Sequence, residues 1–149
     1  GVDAKPERVV AGLGMQDRAH LSPNREWLAY TSDESGRLEI YVQAMRPQGG
    51  RLQISTEGGT ESFWRADGKE LFFIKESALM AVDVKEGPSG LIAGVPKRLF
   101  DAPLTPITFR RNRYVVTPDG KRFLIITSAE AHQPERITVV VNWTGLLKR

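Results

Sequence analysis

Three arginines, Arg110, Arg111 and Arg113, form the densest basic cluster of the chain, and Phe109 and Tyr114 flank it. Guanidinium groups bind carboxylates and phosphates through paired hydrogen bonds, and aromatic rings beside them can stack on a ligand. The cluster leads into a predicted strand, and if that strand lines a central channel, the arginines lie at its mouth. The sequence therefore offers a site for an anionic peptide here, with a solvated loop as the alternative interpretation.

Trp64 and His20 are the next candidates for contact with a ligand. Tryptophan is enriched at binding hot spots, and Trp64 lies beside a turn on a predicted inner strand. Trp27 and Trp143 lie in predicted strands, where their bulk fills the space between sheets. His20 and His132 are the only histidines and are far apart in the sequence, whereas zinc takes three or four ligands from close-set pairs. We expect no metal site and place Trp64 and His20 among the binding residues.

Sequence patterns typical of catalysis are missing. No serine lies on a glycine elbow of the form Gly-x-Ser-x-Gly, and the adjacent carboxylates of Asp33 and Glu34 would point apart on a hairpin. The glycines at 12 and 14 precede no helical pattern and are too few for a phosphate-binding loop. The chain has no cysteine, which excludes thiolate metal ligands, disulfides and cysteine nucleophiles. We therefore predict that the protein is not an enzyme and has no catalytic residue, metal or cofactor.

Composition and charge narrow the class of protein. Hydrophobic residues make up 40% and charged residues 26% of the 149 residues, which is typical of a folded globular protein. The net charge of +3 comes from 21 basic and 18 acidic residues interspersed along the chain, so we expect no nucleic-acid partner. No apolar run reaches the roughly 18 residues of a membrane-spanning helix, so this chain is not expected to insert into a membrane.

A polar turn followed by a short hydrophobic strand occurs three times. The turn residues Asn24, Asp67 and Asp119 are equivalent and recur roughly every forty to fifty residues, and a repeat of this length built from strands and turns predicts blades of a β-propeller. Asp-Gly pairs suit tight turns because the carboxylate accepts backbone hydrogen bonds and glycine tolerates positive φ. The three copies are residues 22–30, 65–73 and 117–125.

The repeats predict an all-β, partial propeller of about three four-stranded blades in a single segment. Residues 86–90 are expected to form a loop because glycine and proline are frequent there. The predicted divisions are a lone outer strand and linker at 1–17, blades at 18–56 and 57–101, and an incomplete blade at 102–149. The predicted strands are 20–21, 27–32, 38–42 and 52–55 in the first blade, 62–64, 71–74, 79–84 and 97–100 in the second, and 113–116, 123–127 and 137–143 in the third.

The predicted strands leave the third blade incomplete. Residues 8–11 form an outer-strand candidate that has no blade of its own, and the third blade lacks a fourth strand. Because an unpaired edge strand invites aggregation, propellers commonly close by pairing their two termini. Two copies could therefore exchange residues 8–11 and form a homodimeric ring of six blades. Alternatively, the chain is half of a longer propeller whose other blades lie upstream.

Several motifs between residues 21 and 56 resemble the WD40-like repeat of TolB-type propellers, also called PD40. They are the Ser-Pro-Asn turn at 22–24, the Tyr-Thr-Ser strand at 30–32, the Glu-Ile-Tyr-Val segment at 39–42, and the Gly-Gly pair at 49–50 followed by residues 52–56. The later turns are similar to those of the same family, although Asn24-Arg25 replaces its Asp-Gly and Arg65-Ala66 its Ser-Pro. Residues 137–149 also resemble the end of the C-terminal propellers attached to bacterial serine/threonine protein kinases and related sensor proteins.

These resemblances imply a scaffold or sensor with protein or peptide partners, working in the periplasm or elsewhere outside the cytoplasm. We expect a non-enzymatic binding module with contacts at the channel mouth and on hairpin loops, because rigid blades hold loops in a set arrangement. The alternatives are a fragment of a propeller-based hydrolase or lyase, the accessory propeller of a prolyl-oligopeptidase-like or kinase protein, and a purely structural half-propeller. Convergence of polar side chains from all the inner strands would favour the enzyme.

Overall fold

Every regular element in the described part of the chain is a β-strand. The structure, a computed structural model, describes residues 5, 8–10, 12, 14–46, 49–104 and 112–127, together with the backbone of strand 137–141. The predicted all-β class is confirmed. The strands are β1 Gln16–Leu21, β2 Trp27–Ser32, β3 Glu39–Ala44, β4 Arg51–Gln53, β5 Thr60–Trp64, β6 Glu70–Lys75, β7 Ala78–Gly87, β8 Gly90–Ala93, β9 Lys97–Asp101, β10 Tyr114–Val116, β11 Arg122–Ile126 and β12 Ile137–Val141.

The strands form three antiparallel sheets that follow one another along the chain. The first sheet has the order β1-β2-β3-β4, and the third has the order β10-β11-β12. In the second sheet β5, β6 and β7 pair in sequence, and then β9 pairs with the first half of β7 while β8 pairs with its second half. This arrangement fits a partial propeller, in which each sheet is one blade. The division of the chain at residues 17, 56 and 101 stays a prediction.

The second sheet is covered on both faces, which explains why β6 is an uninterrupted apolar run. Leu71 and Phe73 belong to the core cluster shared with the first sheet, whereas Phe72 and Ile74 belong to the cluster shared with the third. All four side chains are at most 2% exposed. Because successive strand residues point to opposite faces, one strand holds both neighbouring blades in place.

The loop predicted at residues 86–90 is wrong. Strand β7 continues to Gly87, and Gly87 pairs with Gly90 across a connection of two residues, Pro88 and Ser89. Gly90 has φ +130°, a value that side-chain-bearing residues rarely adopt. The glycine and proline that suggested an irregular loop instead form the tight end of a hairpin. Strands β7 and β8 therefore extend beyond the blade as a hairpin arm, which comprises residues 84–93.

The outer strand predicted at residues 8–11 is not found where the structure describes the segment. Residues 8–10 lie outside every strand, and residue 11 lies outside the described residues. The carbonyl oxygen of Val9 accepts a hydrogen bond of 2.7 Å from the Gln43 side chain. This backbone group is therefore satisfied by a side chain of the first sheet, without a strand ladder. The exchange of residues 8–11 between two copies stays a prediction.

The three repeated turns share one hydrogen-bond pattern. The side-chain oxygens of Asn24, Asp67 and Asp119 each accept from the backbone N–H two residues further on, at 3.1, 3.0 and 3.0 Å. Gly68 and Gly120 follow with φ of +71° and +72°. Asp and Asn favour such turns because their side chains bond the nearby backbone. The repeat is thus a structural device that starts the second strand of each blade.

We expect Asp67→Ala to lower the free energy of unfolding by about 1 kcal/mol, the usual net value of a hydrogen bond. Asp67→Asn keeps the turn acceptor and should lose less, as measured by urea denaturation. The hydrogen bond from Arg65 lowers the pKa of Asp67 below 3.8, so its contribution is present above that pH and is lost as pH falls through the folded-state value. Equal losses in both variants would show that the Arg65 pair, rather than the turn, matters.

Candidate functional site

A charged side chain lies at the same position relative to the repeated turn in each blade, within β1 and β5 and immediately before β10. Arg18, Glu61 and Arg113 each precede the turn residue of their own repeat by six positions. Arg18 and Glu61 have φ of +54° and +57°, and the strand register shifts around both residues. Such bulges re-aim a side chain relative to the regular pleat. The three side chains therefore meet, and we call them the Arg–Glu–Arg cluster.

Both carboxylate oxygens of Glu61 accept hydrogen bonds within this cluster. Arg18 Nη1 donates to Glu61 Oε1 over 2.7 Å, and Arg113 Nε donates to the same oxygen over 2.6 Å. The backbone N–H of Arg113 donates to Glu61 Oε2 over 2.7 Å. Exposure is 0% for the Glu61 side chain, 4% for Arg113 and 8% for Arg18. Polar side chains of β1, of β5 and of the residue immediately before β10 thus converge within hydrogen-bond reach.

Tyr114 connects the third blade to the same place. Its hydroxyl donates to the carbonyl oxygen of Glu61 over 2.8 Å, and its side chain is buried. Burial raises the pKa of Tyr114 well above 10, and the charge of Glu61 raises it further. The phenol therefore stays protonated and remains a hydrogen-bond donor, because the phenolate would be both desolvated and repelled.

An aromatic row of His20, Phe63 and Tyr114 crosses the three inner strands beside the cluster. The His20 ring stacks on Phe63 with centroids 4.4 Å apart, and Phe63 meets Tyr114 edge to face at 5.0 Å. His20 Nδ1 lies 2.8 Å from the carbonyl oxygen of Ser62. Since a carbonyl oxygen only accepts, Nδ1 carries the proton, and Nε2 is the ring's free acceptor when the ring is neutral.

Trp64 lies next to this row and is partly buried. Its indole N–H donates to the carbonyl oxygen of His20 over 3.1 Å, and its ring packs against the core between the first two sheets. His20 and Phe63 are likewise partly exposed. Aromatic rings with bonded polar atoms and free faces can contact a ligand without first being ordered. The structure therefore brings together Trp64 and His20, two of the residues singled out in the sequence.

Of the three arginines predicted to form a basic cluster, the structure describes only Arg113. Arg110 and Arg111 lie outside the described residues, so their part of the prediction is untested. Arg113 is buried and its guanidinium is bound to Glu61. Sequence reasoning missed Arg18 and Glu61, although their common distance of six residues from the repeated turns was visible. Because this offset is the same in every repeat, it identifies residues at equivalent positions of the three blades.

The described residues contain no group of three or more potential metal ligands among histidine, cysteine, aspartate and glutamate. Within the same part of the chain, no helix is long and apolar enough to cross a membrane.

The chemical capacity of the inner strands rests on two features. One is the Arg–Glu–Arg cluster, whose carboxylate is shared between two guanidiniums, and the other is the aromatic row with the free acceptor of His20.

Two solved structures resemble this arrangement of sheets. An oligogalacturonate lyase from Vibrio parahaemolyticus has 17% identity and a TM-score of 0.58, and the match covers 80% of this chain and 31% of the lyase. TolB from Acinetobacter baumannii has 16% identity and a TM-score of 0.45 over 93% of this chain and 44% of TolB. No protein-family model matches the chain, and neither does any curated protein.

The oligogalacturonate lyase is a β-propeller, and the fold of this chain is similar to its fold. The chain spans about a third of the lyase and less than half of TolB. Three blades are also fewer than the four to eight or so of closed propellers. The described strands therefore fit a partial propeller.

Proposed function

We propose that this chain is a non-enzymatic scaffold of the TolB-like propeller type that binds a protein or peptide. The contact surface is the exposed side of the inner strands around His20, Phe63 and Trp64. The observation that supports this most strongly is the aromatic row, which spans three blades with its rings already in contact. Rings that need no ordering make favourable contacts with a partner at a low entropic cost.

The polar atoms of these rings are bonded to backbone groups of neighbouring strands. His20 bonds the carbonyl of Ser62, Trp64 bonds the carbonyl of His20, and Tyr114 bonds the carbonyl of Glu61. Each bond joins two blades, so the rings are held by the sheet framework and not by a loop. Binding sites supported by rigid elements keep their geometry better than sites on loops. This rigidity suits a recognition surface.

The state of Glu61 argues against acid–base catalysis by this carboxylate. A general acid or base needs a pKa near the working pH and access to the substrate proton. Glu61 is fully buried and accepts three hydrogen bonds, two of them from guanidinium groups. Protonating it would remove the negative charge that both guanidiniums share and would leave Arg18 with Asp17 as its ion-pair partner. Glu61 therefore serves as a structural link between blades in this proposal.

Peptides that bind the purified chain can be selected from a random display library. We expect their affinity for the His20→Ala variant to be about tenfold lower than for the wild type, which corresponds to about 1.4 kcal/mol. The loss follows from removing a stacked ring of the contact surface. Fluorescence polarisation with labelled peptides measures it, and Lys97→Ala on the outer strand β9 is the control for an exposed change elsewhere. Equal affinities for both variants and the wild type would contradict the proposal.

A lyase is the second candidate, and two observations favour it. Polar side chains converge at the inner strands, as expected of a propeller-based enzyme, and His20 carries its ring proton on Nδ1. With Nδ1 donating to the Ser62 carbonyl, Nε2 of the neutral ring is an acceptor and a potential base. An assay of oligogalacturonate cleavage, followed by the absorbance of unsaturated products, separates the two functions. Our proposal expects no product. Product formation that His20→Ala abolishes would replace it with the lyase.

A further inference from the structure

A cleft lies between the first sheet and the hairpin arm, away from the aromatic row. Its volume is about 410 Å³. Trp27, Met45 and Pro88 form its apolar wall, and Arg25 and Arg46 lie at its edge. The full lining consists of residues 25–27, 45–46, 86–88 and 90, which we call the arginine cleft.

The hairpin arm is held against the first sheet by one carboxylate. Glu86 Oε1 accepts a hydrogen bond of 3.1 Å from the Trp27 indole N–H and one of 2.9 Å from the Asn24 side-chain amide. Leu91 of the arm packs against the core between the first two sheets. Polar and apolar contacts therefore hold the hairpin arm and the first sheet, the two sides of the cleft, in place relative to each other.

Arg25 occupies a backbone position that favours glycine. It follows the turn residue Asn24, as Gly68 follows Asp67 and Gly120 follows Asp119 in the other repeats, and its φ of +61° is close to their +71° and +72°. A side chain with a Cβ is strained in this left-handed region. The first repeat thus has a strained arginine where the other two have glycine, and this arginine lines the cleft.

The two arginines of the cleft have no acidic partner within the described residues. The ion pairs of the structure engage neither Arg25 nor Arg46, and both side chains are exposed. Glu86 is engaged by Trp27 and Asn24, and Glu26 is the second carboxylate in the lining. A guanidinium pairs best with a planar carboxylate.

We propose that the arginine cleft binds an acidic peptide segment, with Arg25 and Arg46 holding a carboxylate and Trp27 and Pro88 contacting the adjoining chain. The volume of the cleft suits a few residues of a peptide. The inference concerns residues outside the inner-strand surface and therefore stands or falls separately from the proposed function.

The test uses a fluorescein-labelled hexaglutamate peptide and the whole chain, followed by fluorescence polarisation. We expect Arg25→Gly to weaken binding about tenfold or more, as expected for the loss of a charge-assisted pair. The same variant should keep or raise the urea midpoint, because glycine relieves the strain. The affinity of Arg25→Lys should lie between those of the wild type and Arg25→Gly, and Glu26→Gln should tighten binding.

Matched controls separate this site from general attraction to a positive surface. Lys97→Ala removes an exposed positive charge on β9, and hexaglutamine replaces the carboxylates of the probe; the first should leave binding unchanged and the second should not bind. Unchanged affinity in Arg25→Gly would overturn the proposal, as would a lower urea midpoint, which would make Arg25 structural. Loss of hexaglutamate binding in His20→Ala alone would assign the probe to the inner-strand surface instead.

Discussion

Replacing Glu61 by glutamine should lower the free energy of unfolding by about 3–5 kcal/mol, as expected when one partner of a buried ion pair is removed. The side-chain amide would place an N–H donor against guanidinium donors, and the buried Arg18 and Arg113 would lose the carboxylate that they share, although Arg18 would keep its ion pair with Asp17 at 3.3 Å. Domains of this size are stable by about 5–15 kcal/mol in total. Urea denaturation followed by circular dichroism should therefore show a large shift in the midpoint.

A matched charge removal on the surface tests the reason for this loss. Asp83→Asn breaks the ion pair with Lys97, whose two side chains are 68% and 72% exposed, and should cost less than about 1 kcal/mol. The combined variant Arg18→Leu, Glu61→Met and Arg113→Leu should recover part of the stability lost in Glu61→Gln, because no buried charge is left unpaired. A Glu61→Gln variant as stable as Asp83→Asn would contradict the buried Arg–Glu–Arg cluster.

Phe123→Ala should lower the free energy of unfolding by about 3–5 kcal/mol, the usual cost of emptying a buried phenylalanine site. Phe123 is 0% exposed, and its ring meets Phe72 edge to face with centroids 5.1 Å apart and Phe100 at 5.7 Å. These contacts join the third blade to the second. Thermal denaturation and limited proteolysis of the third blade should both report the loss.

Leu124 is the matched control because it is the next residue of β11 and points to the other face. Its side chain is 40% exposed, so Leu124→Ala should cost less than about 1 kcal/mol in the isolated chain. At the equivalent position of the second blade, Phe72 is fully buried by the third blade. A cost for Leu124→Ala that grows with protein concentration would support a second copy at this face, as in a homodimeric ring. A cost equal to that of Phe123→Ala at every concentration would contradict the described packing.

Much of the fold follows from local signals in the sequence. The turns around Asn24, Asp67 and Asp119 were identified because Asx residues and glycine have backbone preferences that act within a few residues. The apolar run at residues 71–74 predicted a strand, which needs no knowledge of its neighbours. The hairpin arm was missed because proline and glycine mark both an irregular loop and a tight two-residue turn. Only the pairing partner distinguishes the two.

The sequence by itself determined the repeat, the strands and the propeller class, because these depend on side-chain periodicity and turn chemistry close along the chain. The tertiary structure alone decided which charges meet. Arg113 was expected at a channel mouth, but the packing of the blades brings it onto Glu61, together with Arg18 from a bulge of β1. Such a contact joins residues 43 to 52 positions apart, and its energy depends on burial and distance. Neither quantity exists until the blades pack.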